Sequence, residues 1–371
     1  MISGGIYVHV PFCSKKCHYC NFYSTKYSQS NRDLYIRGMK KEIDYYADKN
    51  FLVDTIYFGG GTPSLLSYKE LALILNKLRN SFNTDNLLEL TIEVNPESVN
   101  KEKVKIWKDL GFNRISLGIQ SFDDYYLKRI GRVHDSHDIR KALDLIKANF
   151  SNASGDLICG LPGQAISEWE IELDKIISYD LNHISIYPLQ IEPETEMAKI
   201  VNEEYYNEID DTIVDMMNLS RSKLIRSNYE HYEIANYAKP NYESKHNLIY
   251  WQFKPYLGFG PSAASFNKTH RWQNSSDIYQ WAKYFKREVD EESKRNEIQM
   301  AEFAFLSLRL LNRGLNSKKF KREFGVSLES VYGDTLNRLI GYDWLTKSED
   351  RYKLTGQAIN FANQVFAEFL P

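Results

Sequence analysis

The chain has 371 residues, of which 43% are hydrophobic and 26% are charged, which is typical of globular proteins. This length suits one large domain with a smaller one, and the net charge of −2 argues against nucleic-acid binding through bulk electrostatics. The first residues lack the features of a signal peptide, and no apolar run approaches the roughly 18 residues of a membrane span. We therefore expect a cytoplasmic protein whose cysteines stay reduced.

Three of the four cysteines lie in one short loop behind an apolar segment. Residues 6–24 read IYVHVPFCSKKCHYCNFYS, with Cys13, Cys17 and Cys20 in a C-x3-C-x2-C array. The apolar segment is predicted to be a strand, and Pro11 ends its pairing because proline has no N–H to donate. The three thiols are therefore expected on a loop at the carboxyl end of that strand.

Three thiolates this close together suit a soft metal centre. A [4Fe–4S] cluster is normally held by four cysteines, so three from one loop would leave one iron open. Zinc could instead take the three thiolates and His18, although structural zinc ligands usually come in two separated pairs. A disulfide would leave an odd cysteine, and three buried structural thiols are a poor fit to a lysine-containing loop.

Taken in chain order, the first 190 residues alternate between strand and helix patterns. This order indicates parallel strands joined by right-handed crossovers, and it is shorter than the roughly 250 residues of a closed eight-unit barrel. We predict an α/β fold with an open (β/α)6 partial TIM barrel. The predicted strands cover residues 6–10, 53–58, 87–94, 112–119, 153–158 and 183–187. The predicted helices cover residues 31–48, 67–82, 100–110, 123–130, 136–149 and 167–179.

The rest of the chain is predicted to form a long helix, an irregular aromatic segment and a small helical domain. The helix covers 203–227, the aromatic segment covers 231–270, and further helices are expected at 277–286 and 296–311. Residues 317–370 show helix, helix, two short strands and helix, which is typical of a winged-helix-like module. The predicted division is a partial barrel at 1–200, a connecting helix and aromatic region at 201–290, and the C-terminal domain at 291–371.

Several residues with useful chemistry follow the predicted strands. Ligands of parallel sheets bind at the carboxyl ends of the strands, and the glycine run 59–63 would let backbone approach a ligand closely. Glu93 could hold an ammonium group, and Asp156 could accept from ribose hydroxyls. Gln120 and Arg132 could contact polar groups of a ligand. Taken singly, each has a plain structural explanation, as a turn, a solvated charge or a cap.

As an ordered set, five motifs resemble one branch of a known superfamily. YVHVPFC, GGGTP, TIEVNPE, SLGIQSF and DLICGLPGQ follow one another within residues 5–270, and together they resemble the coproporphyrinogen III dehydrogenase-like branch of the radical S-adenosylmethionine (SAM) superfamily. The resemblance implies a [4Fe–4S] cluster on Cys13, Cys17 and Cys20. It implies that a SAM on the open iron contacts Tyr7, Gly60, Glu93 and Ala264. It implies that a second SAM contacts Gly61, Thr62, Gln120, Arg132 and Asp156.

Two features separate the members of this branch. The dehydrogenase carries a fourth cysteine two residues after the third, where this chain has Phe22. The run CNFYS and the motif HNLIYW at 246–251 resemble instead a family of haem chaperones, in which the motif is tied to haem binding. Histidine is a common haem ligand, so the resemblance implies haem at His246. The ligand could also be another residue or lie at a dimer interface, since a lone buried histidine is often only hydrogen-bonded.

The sequence thus predicts a haem chaperone that carries the cluster and SAM, with no catalytic residue assigned. Its expected partners are haem, acceptor haemoproteins such as membrane-bound respiratory enzymes, and an electron donor such as a flavodoxin or ferredoxin. A homodimer and a peripheral association with the membrane are compatible with this prediction. The alternative is an oxygen-independent dehydrogenase that decarboxylates coproporphyrinogen III oxidatively, and a third option is radical chemistry on another tetrapyrrole.

Overall fold

Strands and helices alternate through the first part of the chain, as seen in a computed structural model that describes residues 2–201 and 203–371. The strands are β1 (Ile2–Val10), β2 (Phe12–Cys13), β3 (Thr25–Lys26), β4 (Asp48–Gly60), β5 (Phe82–Asn83), β6 (Glu89–Val94), β7 (Arg114–Gln120), β8 (Ala153–Cys159) and β9 (His183–Pro188). The helices are α1 (Gln29–Tyr45), α2 (Tyr68–Ser81), α3 (Lys101–Leu110), α4 (Asp124–Arg129), α5 (Ser136–Lys147), α6 (Ile166–Ser178) and α7 (Glu196–Ile200).

Six of these strands form the parallel centre of one sheet, in the order β1-β4-β6-β7-β8-β9. The strands follow one another in the order of the chain, so each βα unit adds one strand to the same edge. The predicted open (β/α)6 barrel is therefore confirmed. The carboxyl ends of all six strands meet at one rim, near which most of the predicted site residues lie.

Capping residues set where helices α2 and α3 begin and where α3 ends. Ser67 caps α2 with a capping box, in which its hydroxyl accepts from the Glu70 N–H and the Glu70 carboxylate accepts from the Ser67 N–H. Asn100 caps α3 by accepting from the Lys103 N–H. Gly111 ends α3 with a φ of 90°, a left-handed conformation that favours glycine.

The segment after α7 extends both edges of the sheet. Its helices are α8 (Glu203–Arg226), α9 (Lys245–Trp251) and α10 (Ile278–Tyr284), and its strands are β10 (Glu230–Glu233), β11 (Asn236–Ala238), β12 (Tyr256–Phe259), β13 (Ala264–Phe266), β14 (Arg271–Asn274) and β15 (Arg287–Asp290). β11 pairs antiparallel with β9, and β12 pairs parallel with β1. Both edges of the open barrel are thus covered by the chain itself, which leaves no long unpaired edge among the core strands.

The expectation that residues 231–270 are irregular is wrong. Four strands and a helix lie there, but each strand has only three or four residues, which is too short for an alternating pattern to be recognised. Two of them, β11 and β12, pair with strands far away in the sequence, β9 and β1. The predicted division into three parts at residues 200 and 290 stays a prediction, and the strands on both sides of residue 200 share one sheet.

The C-terminal part forms the predicted winged-helix-like module. Its elements are α11 (Asn296–Leu308), β16 (Leu315–Asn316), α12 (Ser317–Phe324), α13 (Leu328–Gly341), β17 (Leu345–Ser348), β18 (Arg351–Leu354) and α14 (Ala362–Ala367). β16, β18 and β17 form a small antiparallel sheet, and a separate cluster of buried side chains that includes Phe303, Phe320 and Leu336 fills the module. Within the described residues, no helix has both the length and the apolar character needed to cross a membrane.

Glu42 of α1 is a buried carboxylate that ties this helix to the added strands. Its side chain is 1% exposed and accepts from the Gly260 N–H at 2.9 Å, from Trp281 Nε1 at 2.9 Å and from Asn274 Nδ2 at 2.7 Å. Burial raises the pKa of Glu42 to about 7, against the opposite effect of these hydrogen bonds. The three donors come from the β12–β14 region and from α10, so one carboxylate holds three segments together.

We expect Glu42→Ala to lower the free energy of unfolding by about 3 kcal/mol, because it leaves three buried donors without an acceptor. Urea unfolding followed by tryptophan fluorescence measures this change. Glu102→Ala, at an exposed position of α3, is the control and should stay within about 0.5 kcal/mol of the wild type. An equal effect of the two substitutions would show that the network around Glu42 contributes little.

Candidate functional site

The cysteine loop is held by hydrogen bonds at its ends and in its middle. Its two ends are joined, since the Thr25 N–H donates to the Pro11 carbonyl at 2.6 Å and β2 pairs with β3. In its middle the His18 N–H donates to the Ile130 carbonyl at 3.0 Å, and His18 Nδ1 lies 2.9 Å from the Arg129 carbonyl oxygen. The three thiols therefore project from a backbone whose course is fixed by neighbouring segments.

The glycine run is bonded directly to the cysteine loop. The Gly61 N–H donates to the Val10 carbonyl at 2.8 Å, and the Thr62 N–H donates to the Phe12 carbonyl at 2.7 Å. A Cβ atom added at Gly61 would lie 2.6 Å from the Phe12 carbonyl oxygen and 3.0 Å from Cys13 Sγ. Glycine is thus required here because two backbones approach closely. The glycine run therefore packs against the backbone of the cysteine loop, a contact that the sequence did not predict.

Two thiols have a polar neighbour that holds them. The Thr62 hydroxyl donates to Cys13 Sγ at 3.8 Å, and Arg132 Nη1 donates to Cys17 Sγ at 3.4 Å. Arg132 is itself fixed by Asn95 Oδ1, which accepts from its Nη2 at 2.8 Å. Burial raises the pKa of Cys13 and of Cys20. A positively charged metal centre would offset this cost by favouring the thiolates.

The three thiols of the loop are the donors of the predicted metal centre. In a cubane each thiolate binds a different iron, whereas the thiolates of a zinc site all lie about 2.3 Å from one atom. His18, the fourth ligand of the zinc alternative, holds the loop through Nδ1, and a zinc-bound histidine commonly makes such a hydrogen bond with its second ring nitrogen. The hydrogen bond of His18 is thus compatible with either metal.

Most of the predicted site residues line one cavity of about 570 Å³ at the rim of the barrel. This cavity, called the smaller cavity below, has the cysteine loop on one side and the strand ends on the other. Its wall also contains the guanidinium groups of Arg114 and Arg132, which are largely buried. The predicted residues in its wall are Cys13, Cys17, Cys20, Gly60, Gly61, Thr62, Glu93, Gln120, Arg132 and Asp156.

Glu93 is a carboxylate suited to meet a cation. Tyr57 Oη donates to its Oε1 at 2.7 Å, and the Gly60 N–H donates to its Oε2 at 3.2 Å. Burial raises the pKa of Glu93 to about 7, and the nearby Asp156 adds to this effect. An ammonium group in the cavity would favour the ionised form and relieve the cost of burial.

Asp156 is held by hydroxyl groups on neighbouring strands. The Ser116 hydroxyl donates to its Oδ2 at 3.0 Å and the Ser154 hydroxyl to its Oδ1 at 3.2 Å. Burial raises the pKa of Asp156, while the Ser185 hydroxyl and the Arg114 guanidinium act in the opposite direction. These contacts orient the carboxylate, and its acceptor capacity is suited to hydroxyl donors.

Gln120 ends β7 in a strained conformation. Its φ is 68°, and the pairing of β7 with β8 shifts register between Gly118 and Gln120. A positive φ in a residue other than glycine costs free energy and is concentrated at functional sites. The positive φ and the register shift mark an irregular end of β7, and Gln120, a predicted site residue, lies there in the wall of the smaller cavity.

Tyr7 and Ala264 line a different, larger cavity of about 880 Å³. This cavity lies between the barrel and the C-terminal module, and much of its wall is aromatic. Tyr7 stays close to Glu93, because a Cβ atom added at Gly59 would meet the Tyr7 ring at 3.0 Å and Glu93 Oε1 at 3.1 Å. The two cavities share part of the cysteine loop, namely Lys16, Cys20, Asn21, Phe22 and Ser24. Aromatic residues of the larger cavity include Tyr23, Tyr250, Trp251, Tyr256, Phe266 and Phe305.

His246 is buried and is in the wall of neither cavity. Its side chain is 1% exposed, Nδ1 lies 2.7 Å from Thr55 Oγ1, and Nε2 lies 2.7 Å from Tyr250 Oη. Burial lowers the pKa of His246 to about 3, so the ring is neutral. Both ring nitrogens are used inside the protein, and an iron could bind only after one of these hydrogen bonds is broken. Haem ligation by His246 stays a prediction.

Sequence reasoning missed several residues of the smaller cavity. Tyr57, Asn95, Arg114 and Asn247 all line it. For Arg114 a signal was present, since it lies at an even spacing from the predicted Gln120 on β7. Tyr57 is not on the face of Gly60, the predicted residue of its own strand, but it is the register partner of the predicted Tyr7 on β1. Asn247 reaches the cavity from a helix about 150 residues further along the chain than Asn95, and no local pattern indicates that.

Comparisons with known proteins bear on the family of the chain. The profile of the Radical SAM superfamily matches residues 7–176, and that of the HemN C-terminal domain matches residues 296–361. A protein of Lactococcus lactis subsp. lactis (strain IL1403) named "Heme chaperone HemW" is 33% identical over 368 residues, which are 98% of this chain and 96% of that protein. The chain therefore belongs to the HemW family. A HemW protein of Bacillus subtilis (strain 168) is 32% identical and covers 98% of each chain.

A solved structure confirms the fold across almost the whole chain. The coproporphyrinogen III oxidase HemN of Escherichia coli, described as a radical SAM enzyme, superposes with a TM-score of 0.84 and covers 99% of this chain and 90% of its own. Its sequence identity is 20%, so the likeness concerns the fold alone. This HemW family member thus has the partial barrel and the C-terminal domain of that enzyme.

Proposed function

We propose that this protein binds haem and transfers it to acceptor haemoproteins, and that it carries a [4Fe–4S] cluster and SAM. The observation that carries the proposal is the pair of adjoining cavities, one with three thiols in its wall and the other largely aromatic. The near full-length similarity to proteins named "Heme chaperone HemW" supports the same function.

The smaller cavity would hold the cluster and SAM. Cys13, Cys17 and Cys20 would bind three irons, and the fourth would be open to the amino and carboxylate groups of SAM. When bound, the cluster supplies an electron and SAM supplies a sulfonium bond that this electron can break. Glu93 would accept from the ammonium group of SAM and Asp156 from ribose hydroxyls.

The remaining polar residues of that wall would orient SAM. Gly61 and Thr62 would contact SAM with atoms other than their N–H groups, which already donate to the cysteine loop. Gln120 offers an amide, and Arg132 offers a guanidinium that also holds Cys17. Whether they hold the first SAM or a second one, their common task is to fix the nucleotide next to the cysteine loop.

The larger cavity would take haem. Its volume of about 880 Å³ lies within the range of roughly 300–1,000 Å³ of small-molecule sites. Aromatic rings such as Tyr250 and Trp251 can pack on a porphyrin face, and Lys16 and Lys254 in the same wall can pair with propionates. Tyr7 and Ala264 lie in this wall too, where the adenine of SAM would reach if it extends past Glu93.

Transfer of haem and reduction of the cluster require further partners, which we infer from the same family. Acceptors would be haemoproteins such as membrane-bound respiratory enzymes, and a flavodoxin or ferredoxin would supply electrons to the cluster. The protein would act in the cytoplasm, with peripheral contact to the membrane during transfer, as a monomer or a homodimer.

Phe22 argues against the alternative function, oxidative decarboxylation of coproporphyrinogen III. It occupies the position of the dehydrogenase's fourth cysteine and is 66% exposed, and it lies in the wall that both cavities share. A large apolar ring there cannot replace a thiol, but it can contact a planar macrocycle.

We expect each of Cys13→Ala, Cys17→Ala and Cys20→Ala to lose most of its iron after anaerobic reconstitution, because two thiolates hold a cluster poorly. The wild type should contain about four irons and about four sulfides per chain. Cys159→Ala is the matched control, since that thiol is buried elsewhere in the core, and it should keep its iron. Unchanged iron and sulfide in Cys13→Ala would refute the assignment of the ligands.

The function itself is tested by comparing haem binding with porphyrinogen turnover. The reconstituted protein should give a saturable Soret band on titration with hemin. Incubated anaerobically with coproporphyrinogen III, SAM and a reductant, it should form no protoporphyrinogen IX above background, while E. coli coproporphyrinogen III oxidase run in parallel does. Protoporphyrinogen accumulating over many turnovers would replace the chaperone proposal by the dehydrogenase.

A further inference from the structure

Helix α9, which carries the motif HNLIYW, lies between the two cavities. Asn247 lines the smaller cavity, whereas Tyr250 and Trp251 line the larger one. Little more than one helical turn thus contributes to both walls, and His246 lies within the helix at 1% exposure. A residue in that place can act on both cavities without touching the occupant of either.

A continuous chain of contacts runs through the helix from one wall to the other. Tyr57 donates to Glu93 at 2.7 Å, and the ring of Tyr57 stacks on that of His246 with centroids 5.0 Å apart and an interplanar angle of 25°. His246 Nε2 lies 2.7 Å from Tyr250 Oη, while Nδ1 lies 2.7 Å from Thr55 Oγ1. Glu93 faces the smaller cavity and Tyr250 faces the larger one, so four residues in contact connect the two.

The helix is fixed against the strands at this point. The Glu89 carboxylate is 2% exposed and accepts from the Lys245 N–H at 2.9 Å and from the His246 N–H at 3.0 Å. A Cβ atom added at Gly5 would meet the His246 ring at 3.2 Å, so the ring is packed on β1 as well. Because packed interiors deform little, a movement at one end of the contact chain is passed to the other end.

We propose that His246 is a positioning residue that couples the two cavities, so that haem in the larger cavity and SAM in the smaller one bind cooperatively. This inference rests on the proposed function. When Glu93 faces an ammonium group, the hydrogen bond from Tyr57 becomes charge-assisted and roughly twice as strong as a neutral one. The fixed Tyr57 ring holds His246 and, through it, the Tyr250 hydroxyl at the wall of the larger cavity.

The coupling has two consequences that can be measured. It is reciprocal, because linkage requires SAM and haem to change each other's affinity by the same factor. The coupling also leaves both ring nitrogens of His246 hydrogen-bonded to Tyr250 and Thr55, so neither nitrogen is available to bind iron. His246 would therefore influence haem affinity without being the axial ligand.

The test is a titration with hemin in the presence and absence of saturating SAM, using cluster-loaded protein without reductant so that SAM stays intact. We expect SAM to lower the Kd for hemin by at least about five-fold in the wild type. Tyr250→Phe keeps the ring but removes the hydroxyl that meets His246, and its ratio of Kd values should fall below about two-fold. Tyr229→Phe is the control, because Tyr229 lines neither cavity and its hydroxyl donates to the Leu181 carbonyl, and it should keep the wild-type ratio.

A second variant separates positioning from ligation. His246→Gln should lose the dependence on SAM while the axial-ligand signature of bound hemin, read by resonance Raman and EPR, stays that of the wild type. A changed signature would make His246 the ligand and overturn the proposal, as would a wild-type hemin affinity indifferent to SAM. If the wild type binds no hemin under either condition, the proposed function fails, which is a different result from hemin binding without coupling.

Discussion

The polar inner face of the six parallel strands is the constraint on which the rest of the structure depends. Buried polar groups cost about 1–3 kcal/mol each when they lack partners, so the inner face is stable only as a network. His183 shows the pattern, since Ser154 and Tyr232 each lie within 2.8 Å of its ring nitrogens. For Thr55 and for the Glu89 carboxylate, helix α9 supplies the partners. Other polar groups of this face, among them Glu93, Gln120 and Asp156, form the wall of the smaller cavity.

This constraint explains how much of the site could be predicted. Alternation along each strand assigns residues to the inner or the outer face, and the order of the βα units brings the strand ends together. These two rules were enough for Glu93, Gln120 and Asp156. They could not separate the two cavities, because the larger one is built where β12 joins β1 and β13 joins β12. The pairing of β12 with β1 connects residues about 250 positions apart, and short strands leave no local pattern.

The motif HNLIYW shows that residue types alone can suggest a ligand whose side chain the fold turns away from the cavity. The family resemblance ties this motif to haem, and Tyr250 and Trp251 do face the aromatic cavity. His246 is instead turned inward, where two hydroxyl groups and a stacked ring use its capacity. Sequence reveals which residues occur together, whereas the direction of each side chain on a helix of seven residues depends on tertiary contacts with β1 and β4.

We propose that iron of two kinds, a cluster and haem, would occupy the two adjoining cavities of this HemW family member. Anomalous diffraction at the iron edge tests this proposal most directly, on crystals of the reconstituted protein grown anaerobically with hemin and SAM. We expect a compact peak of several irons next to Cys13, Cys17 and Cys20 and a separate single-iron peak in the larger cavity near Tyr250. A single-metal peak at the cysteines with zinc absorption, or haem iron outside that cavity, would contradict it.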